Sequence, residues 1–195
     1  MIKQYLILFS FFLFLGGCAQ HINSSKVLYP DWQARLDAEK NWRVQGKLAF
    51  IATDNRQSAN LNWQQNQDLN HLVLTSFIGT RILSLRQTSL GATLDYDDQT
   101  YTGVNASLLL SQLTGFTIPL KNAQQWLKGI ANVENSQYDK LGRATQLTWQ
   151  ADNGQQWQIN YKQYRQEAGF WLPEKLTLKT PKMTIKIQLY DWQFN

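Results

Sequence analysis

The sequence predicts an α+β fold built on an antiparallel sheet of about eleven strands that curls into a barrel or half-barrel. Most segments after residue 41 alternate apolar and polar residues with the period of two that half-buried strands show. Only three short segments have helical spacing, one just before residue 41 and two after it. Three short helices cannot cover so many one-sided strands, so the sheet must bend around its own apolar face.

Length and composition favour a single globular domain. The chain has 195 residues, of which 43% are hydrophobic and 17% charged, and this is apolar enough to build a core. Its formal charge of +5 comes from scattered Lys and Arg residues, so no nucleic-acid-binding surface is predicted. The single Cys excludes an intramolecular disulfide and any site with several thiolate ligands.

The N-terminal region predicts export and a lipid anchor. Residues 5–15 form an uncharged run of about eleven residues, whereas a membrane-spanning helix needs about 20. The following Leu15-Gly16-Gly17-Cys18 resembles the bacterial lipobox, which implies cleavage before Cys18 and a covalent lipid on its thiol. We therefore predict a signal peptide over 1–17, a lipidated tether over 18–29 and one folded domain over 30–195. Ala19, by resemblance to lipoprotein sorting signals, implies the outer membrane, facing the periplasm. The alternatives are an ordinary secretory signal with an incidental Cys and a short core helix.

The first half of the domain reads as one helix followed by a meander. Pro30-Asp31 can open a helix whose apolar stripe is Trp32 and Leu36 and which ends near Lys40. Period-two alternation then predicts strands over 42–50, 59–64, 72–77, 81–86, 90–95 and 99–102, with a turn at 53–56.

Two helices and five strands are predicted in the second half. Asn105 or Ser107 can cap a Leu-rich helix that Gly115 closes, and a second helix runs from Ile118-Pro119-Leu120 to Gly129. Strands are predicted over 133–139, 144–150, 155–162, 175–179 and 183–189, and Asp152-Asn153-Gly154 supplies a hairpin turn.

Several strings along the predicted domain resemble the family of the outer-membrane lipoprotein receptor LolB, in matching order. They are Trp42-Arg43-Val44-Gln45-Gly46-Lys47-Leu48-Ala49, Leu61-Asn62-Trp63-Gln64, Phe77-Ile78-Gly79-Thr80, Ile118-Pro119-Leu120, Trp126-Leu127-Lys128-Gly129, Trp157-Gln158-Ile159-Asn160-Tyr161 and Leu172-Pro173. The resemblance implies an unclosed barrel of eleven strands with a lid of three helices. It also implies a function: a monomer that accepts the acyl chains of lipoproteins from the periplasmic carrier LolA and inserts them into the inner leaflet of the outer membrane. No catalysis and no cofactor are implied beyond the lipid on Cys18.

The resemblance also assigns a membrane-targeting loop. Family members carry an exposed Leu between the third and fourth strands, and this role passes to Ile78 of Phe77-Ile78-Gly79. Phe77 stands where Pro is usual, which makes the loop tip more hydrophobic. Without the resemblance, Phe77 and Ile78 would be expected to fold back into the core.

Alternation and helical spacing nominate a set of cavity-lining residues. The set is Leu48, Phe50, Leu61, Trp63, Leu109, Leu110, Leu113, Ile185, Ile187 and Leu189. Each of these side chains is expected to point inward, where packing in the core is at least as common as contact with a ligand.

Two rival interpretations are open. An enzyme would need catalytic groups, but the chain has only His21 and His71, and its Glu residues lie in separate segments. The second rival is a different lipoprotein, with a lipocalin-like barrel or as an envelope assembly module. A lipocalin would have about eight strands in a closed meander and usually a C-terminal helix, whereas this sequence places helices in the middle and ends in a predicted strand. The soluble carrier of the same pathway shares the fold but lacks the lipobox Cys.

Overall fold

The computed structural model describes residues 28–53, 55–131 and 134–194. The predicted signal peptide, Cys18 and most of the predicted tether lie outside these residues. The helices are α1 (Trp32–Ala38), α2 (Ala106–Thr114) and α3 (Leu120–Lys128). The strands are β1 (Asn41–Ala52), β2 (Arg56–Asn66), β3 (Leu69–Thr75), β4 (Arg81–Thr88), β5 (Gly91–Tyr96), β6 (Gln99–Gly103), β7 (Ser136–Tyr138), β8 (Ala144–Gln150), β9 (Gln156–Glu167), β10 (Phe170–Lys179) and β11 (Met183–Phe194).

All eleven strands form one antiparallel sheet in the order β6-β5-β4-β3-β2-β1-β11-β10-β9-β8-β7. The two halves of the chain therefore meet where the first strand pairs with the last, from Trp42 opposite Phe194 to Ala52 opposite Met183. Strands β6 and β7 are the two edges, so the barrel is not closed. The predicted fold class, an unclosed antiparallel barrel with three helices, is confirmed.

Several element boundaries differ from the prediction. Strand β9 continues to Glu167 and β10 begins at Phe170, although the sequence pattern placed strands only over 155–162 and 175–179. The register shifts around Pro173 and Lys175, and these bulges disturb the alternation that marks a strand. Leu90, expected to open β5, lies in the preceding turn and is exposed. Strand β7 begins at Ser136, and the predicted start at Val133 lies outside the described residues.

The two ends of the sheet differ. We call one the mouth end: it holds the β3–β4 loop (76–80), the β5–β6 turn (97–98) and the β10–β11 turn (180–182). The other, the closed end, is filled by aromatic packing, because the Trp42 ring lies 6.2 Å from Trp63 and 5.7 Å from Trp192. Helix α1 buries Trp32 and Leu36.

A close approach of β1 and β11 requires glycine at position 46. A Cβ there would lie 2.5 Å from the backbone oxygen of Gln188 and 3.0 Å from Cδ2 of Leu189. The register between β1 and β11 also shifts at Gln45 and Gly46. The missing side chain therefore leaves the space that Leu189 occupies.

Among the residues that the structure describes, no helix is both long enough and apolar enough to cross a bilayer.

Candidate functional site: an apolar cavity and an exposed loop

A cavity of about 390 Å³ lies at the mouth end, between the inner face of the sheet and helices α2 and α3. Its size falls within the range of small-molecule sites. Among the described residues that line it, the polar side chains are those of Asn55, Gln57, Ser58 and Tyr96, and none of these lining residues is Asp, Glu, Lys, Arg or His. An uncharged wall of this kind suits an apolar ligand.

The strand wall follows from the sheet register. Leu48 of β1 lies opposite Ile187 of β11, and Phe50 lies opposite Ile185, so four inward side chains form one continuous patch. On the other side Leu61 pairs with Leu74, which carries the patch onto β3. Several of these side chains, including Leu48, Phe50, Leu74 and Ile187, are only partly buried. The inner face of the sheet is therefore not filled by packing.

Helix α2 forms part of the opposite wall. The Asn105 Oδ1 accepts a hydrogen bond of 2.8 Å from the Leu108 amide, and Gly115 ends the helix in the left-handed region with φ of 72°. These caps fix a nine-residue helix whose Leu110 and Leu113 line the cavity. The Ala106 amide donates to Gln87 Oε1 over 2.7 Å, which fastens the start of α2 to β4.

Helix α3 and the segment before it complete the wall. Ala123 and Leu127, one helical turn apart, line the cavity together with Phe116, whose ring lies 5.3 Å from Phe50. Trp126 faces away from the cavity lining and packs against Trp149 and Trp157. The Tyr161 hydroxyl donates to the Trp126 carbonyl over 3.0 Å, and burial raises the pKa of this phenol, so it remains a neutral donor.

The structure places eight of the ten nominated residues on the cavity wall. These are Leu48, Phe50, Leu61, Trp63, Leu110, Leu113, Ile185 and Ile187. Whether they contact lipid stays a prediction.

The other two predicted residues, Leu109 and Leu189, do not lie on the wall of this cavity. Leu109 packs against Gly103 of β6, where a Cβ would lie 3.0 Å from its Cδ2. Leu189 is buried over Gly46, at the bulge between β1 and β11. Both face inward as expected, but the spaces they fill belong to the core.

Further lining residues were not nominated from the sequence. Leu72 and Leu74 alternate along β3, so the same pattern that selected Leu61 and Trp63 could have found them. Phe116 and Ile118 lie in an irregular segment between α2 and α3, where no periodicity marks which side chains point inward.

The β3–β4 loop protrudes from the mouth end. Phe77 is 91% exposed and Ile78 is 73% exposed, whereas the same side chains in a core would be covered. The loop is nevertheless well fixed: the Ser76 amide donates to the Thr80 carbonyl over 2.8 Å, and the Gly79 amide to the Ser76 carbonyl over 3.0 Å. Gly79 has φ of 89°, which favours glycine at this turn. The structure thus places Phe77 and Ile78 in solvent on a rigid turn.

His71 and Asp95, two residues of the kinds that serve catalysis in enzymes, do not line the cavity. His71 Nε2 lies 3.1 Å from Ser84 Oγ, and burial together with the Arg86 charge lowers the pKa of this imidazole. Asp95 Oδ1 accepts a hydrogen bond from the Thr100 hydroxyl over 2.8 Å, and the Asp95 charge partly opposes the lowering of the His71 pKa. Within the described ranges no three His, Cys, Asp or Glu residues cluster as metal ligands would, and His21 lies outside those ranges.

Comparison with known proteins agrees with this architecture. The family model described as "Outer membrane lipoprotein LolB" matches residues 40–192. The outer-membrane lipoprotein LolB of Pseudoalteromonas translucida is 53% identical over 195 residues, covering 100% of this chain and 96% of the relative. That of Psychromonas ingrahamii is 34% identical, covering 97% of this chain and 96% of the relative.

Two solved structures share the fold at very low sequence identity. A putative outer membrane lipoprotein-sorting protein domain from Vibrio parahaemolyticus aligns with a TM-score of 0.53 at 8% identity, covering 83% of this chain and 90% of that one. A LolA superfamily protein from Nitrosomonas europaea aligns with a TM-score of 0.51 at 7% identity, covering 87% and 89%. Family model, relatives and fold agree, and the chain belongs to the LolB family of outer-membrane lipoproteins.

Proposed function

We propose that this protein receives lipoproteins from a LolA-type periplasmic carrier, shelters their acyl chains in the mouth-end cavity and inserts them into the inner leaflet of the outer membrane. Membership of the LolB family supports a role in lipoprotein localisation. The observation that carries the finer proposal is an apolar cavity, lined by no charged residue among those described, at the same end of the sheet as an exposed apolar loop.

The energetic need for a cavity follows from the cost of wetting an acyl chain. Each methylene exposed to water costs about 0.8 kcal/mol, so a long acyl chain costs more than about 10 kcal/mol. A protein wall that replaces water at every stage removes this barrier. The partly buried Leu48, Phe50, Leu74 and Ile187 are side chains that gain contacts when an acyl chain enters.

The proposed handover makes and breaks no covalent bond. The cavity lining carries hydrocarbon side chains and a few neutral polar groups, which suffices to bind an acyl chain and offers it no nucleophile with a charged partner. The direction of transfer then depends on the successive environments of the acyl chain, which are the carrier, the cavity and the bilayer. We propose that the protein acts as a monomer, anchored through a lipid on Cys18, with the Phe77-Ile78 tip directed at the membrane.

A cavity substitution tests the proposal. Leu48→Gln keeps the side chain close to its original size but buries an amide in the apolar wall. Because an unpaired buried amide costs about 1–3 kcal/mol, we expect roughly tenfold weaker binding of a fluorescent fatty acid and slower uptake from a carrier loaded with labelled lipoprotein.

The matched control is Leu90→Gln, which makes the same change at a side chain that is 97% exposed in the β4–β5 turn. It should leave probe binding and uptake unchanged. Circular dichroism establishes that both variants fold. Unimpaired uptake by folded Leu48→Gln protein, or equal losses in both variants, contradicts a role for the cavity.

A further inference from the structure

The outer face of the sheet carries a second concave feature, a groove of about 500 Å³ lined by four exposed lysines. They are Lys47 on β1, Lys186 on β11, Lys175 on β10 and Lys162 on β9. These strands are consecutive in the sheet. We call the four residues the lysine face. It lies on the opposite side of the sheet from the uncharged cavity.

The positive charge of the lysine face is not neutralised locally. The ion pairs of the described part of the chain within 4.0 Å all involve Arg, namely Arg35, Arg143 and Arg165, and none reaches one of the four lysines. Asp191 on β11 lies beyond the bulge and accepts a hydrogen bond from Gln193. Like charges on neighbouring strands repel each other, so an anionic ligand would relieve this repulsion.

The sheet register ties the lysine face to the exposed loop. Gln188 pairs with both Lys47 and Lys175, and Lys47 pairs on its other side with Asn60. Asn60 pairs with Thr75, the last residue before the loop, and its side-chain amide donates to the Ser76 carbonyl over 2.9 Å. Neighbouring strands lie about 4.8 Å apart, which places Lys47 about 10 Å from the base of the loop. Phe77 itself lines the groove.

We propose that the lysine face binds the phosphate-bearing headgroups of anionic phospholipids, so that the domain lies side-on against the leaflet that the loop enters. The inference that the lysine face lies near the membrane rests on the proposed membrane role of Phe77 and Ile78. The positive charge of the face does not depend on that role. Lysine ammonium groups are point charges on flexible side chains, so those around an open groove can each approach a headgroup phosphate.

The tether favours the same orientation. The Tyr29 amide donates to the Gly169 carbonyl over 3.0 Å, so the tether joins the domain at the β9–β10 turn, at the closed end. Ten residues, 18–27, precede Leu28 and span at most about 35 Å. Strand β9, with 12 residues, is about 40 Å long. An upright domain standing on its loop would stretch the tether fully, whereas a side-on domain brings Gly169, the loop and the lysines between them close to one bilayer.

The test places a fluorescent label in the groove. Cys18 is the only Cys of the chain, and acylation would leave Gln188→Cys as the single free thiol. The membrane-attached protein, labelled at position 188, is reconstituted into vesicles of phosphatidylethanolamine with or without phosphatidylglycerol, each doped with a lipid carrying a quencher on its headgroup. We expect strong quenching in the anionic vesicles only, and its loss at high salt. A label on α3, introduced by Gln125→Cys, should stay unquenched.

Two matched triple variants decide whether the lysines cause the contact. A lysine near an anionic leaflet strengthens binding about fivefold, so Lys47→Gln, Lys175→Gln and Lys186→Gln together should abolish quenching at position 188. Lys40→Gln, Lys121→Gln and Lys140→Gln remove the same charge from exposed positions outside the groove and should preserve it.

Quenching that is equal in both kinds of vesicle, or equal in the two triple variants, overturns the proposal. A groove triple variant that is quenched normally but no longer accepts lipoprotein from the carrier also overturns it, because the lysines then face an acidic protein surface. Ile78→Glu distinguishes this proposal from the proposed function. If delivery is lost while quenching is retained, the loop acts in delivery and the lysines bind the leaflet independently of it. If quenching is lost while delivery is retained, the inference that leads from the loop to the lysine face is refuted.

Discussion

At the scale of single residues, Lys128 at the end of α3 is unusual because its ionisable side chain is only 5% exposed. Its Nζ donates to the carbonyls of Leu36 (3.1 Å) and Glu39 (2.6 Å), at the end of α1, and lies 5.5 Å from the Trp42 ring centroid. Lys128 therefore fastens α1 and α3 to each other at the closed end. Burial lowers the pKa of Lys128 to about 8 from the usual 10.5, against the opposing influence of Asp37 and Glu39.

This shift predicts how stability depends on pH. Because the folded protein releases the Lys128 proton near pH 8 and the unfolded chain near 10.5, the unfolded state holds more protons between these values. The stability of the unmodified protein relative to Lys128→Met should then rise by up to about 3 kcal/mol from pH 8 to 10.5, and stay level below pH 8. The neutral amine keeps two N–H donors for the two carbonyls.

Urea unfolding at pH 7, 8.5 and 10 measures the difference. Lys121→Met, at an exposed position of the same helix, is the control and should show no such rise. Titration of tyrosines and other lysines cancels in the comparison. A pH-independent difference between the unmodified protein and Lys128→Met contradicts the shifted pKa.

At the scale of elements, the β3–β4 loop combines exposure with rigidity. Its tip would gain about 1.5–3 kcal/mol for each large apolar side chain that enters the acyl region of a bilayer. That is enough to bias delivery and too little to anchor the protein. The backbone hydrogen bonds of Ser76, Gly79 and Thr80 keep the tip presented without further ordering cost.

A charge on this tip should impair delivery to the membrane selectively. Ile78→Glu places a carboxylate at the tip that is proposed to insert, so we expect normal folding and normal uptake from the carrier but several-fold slower release of lipoprotein into liposomes. Release is followed by flotation of labelled cargo with the liposomes. Leu90→Glu, at another exposed turn residue, is the control. Release at the unmodified rate by Ile78→Glu, or unfolding of that variant alone, shows that the tip is not directed at the membrane.

At the scale of the whole molecule, the fold keeps three structural features apart in space. The inner face of the sheet holds the cavity at its mouth end, the closed end receives the tether, and the outer face is polar. An open sheet of this length permits the separation, because its two faces and two ends are chemically independent.

The proposed membrane anchor is a lipid on Cys18. We expect mass spectrometry of the membrane fraction to show a mature N-terminus that begins at Cys18 and carries acyl mass. Cys18→Ala should lose that mass and leave the outer-membrane fraction, because no other thiol is present to accept lipid. Ser24→Ala in the tether is the control and should be acylated normally. An unmodified N-terminus that begins elsewhere in the unaltered protein contradicts lipidation.

Much of the sheet was predictable because strand alternation is a local property. Leu61 and Trp63 on β2, and Ile185 and Ile187 on β11, face inward as their spacing indicates, since each second residue of a strand shares a face. The two mid-chain helices were predictable for the same reason, because Asn105, Gly115 and Gly129 act as caps within one turn of the helix they bound.

Only the tertiary structure decided which inward residues surround a cavity. Leu109 and Leu110 are neighbours on α2, yet Leu109 packs against Gly103 of β6 whereas Leu110 lines the cavity. The position of Leu189 likewise depends on a bulge against Gly46, far away in the sequence. Alternation assigns a side chain to a face, but curvature, bulges and the docking of helices determine whether that face is filled, and these arise from contacts between distant segments. The lysine face could not be predicted from the sequence for the same reason, because its members come from strands near both ends of the chain that only the sheet brings together.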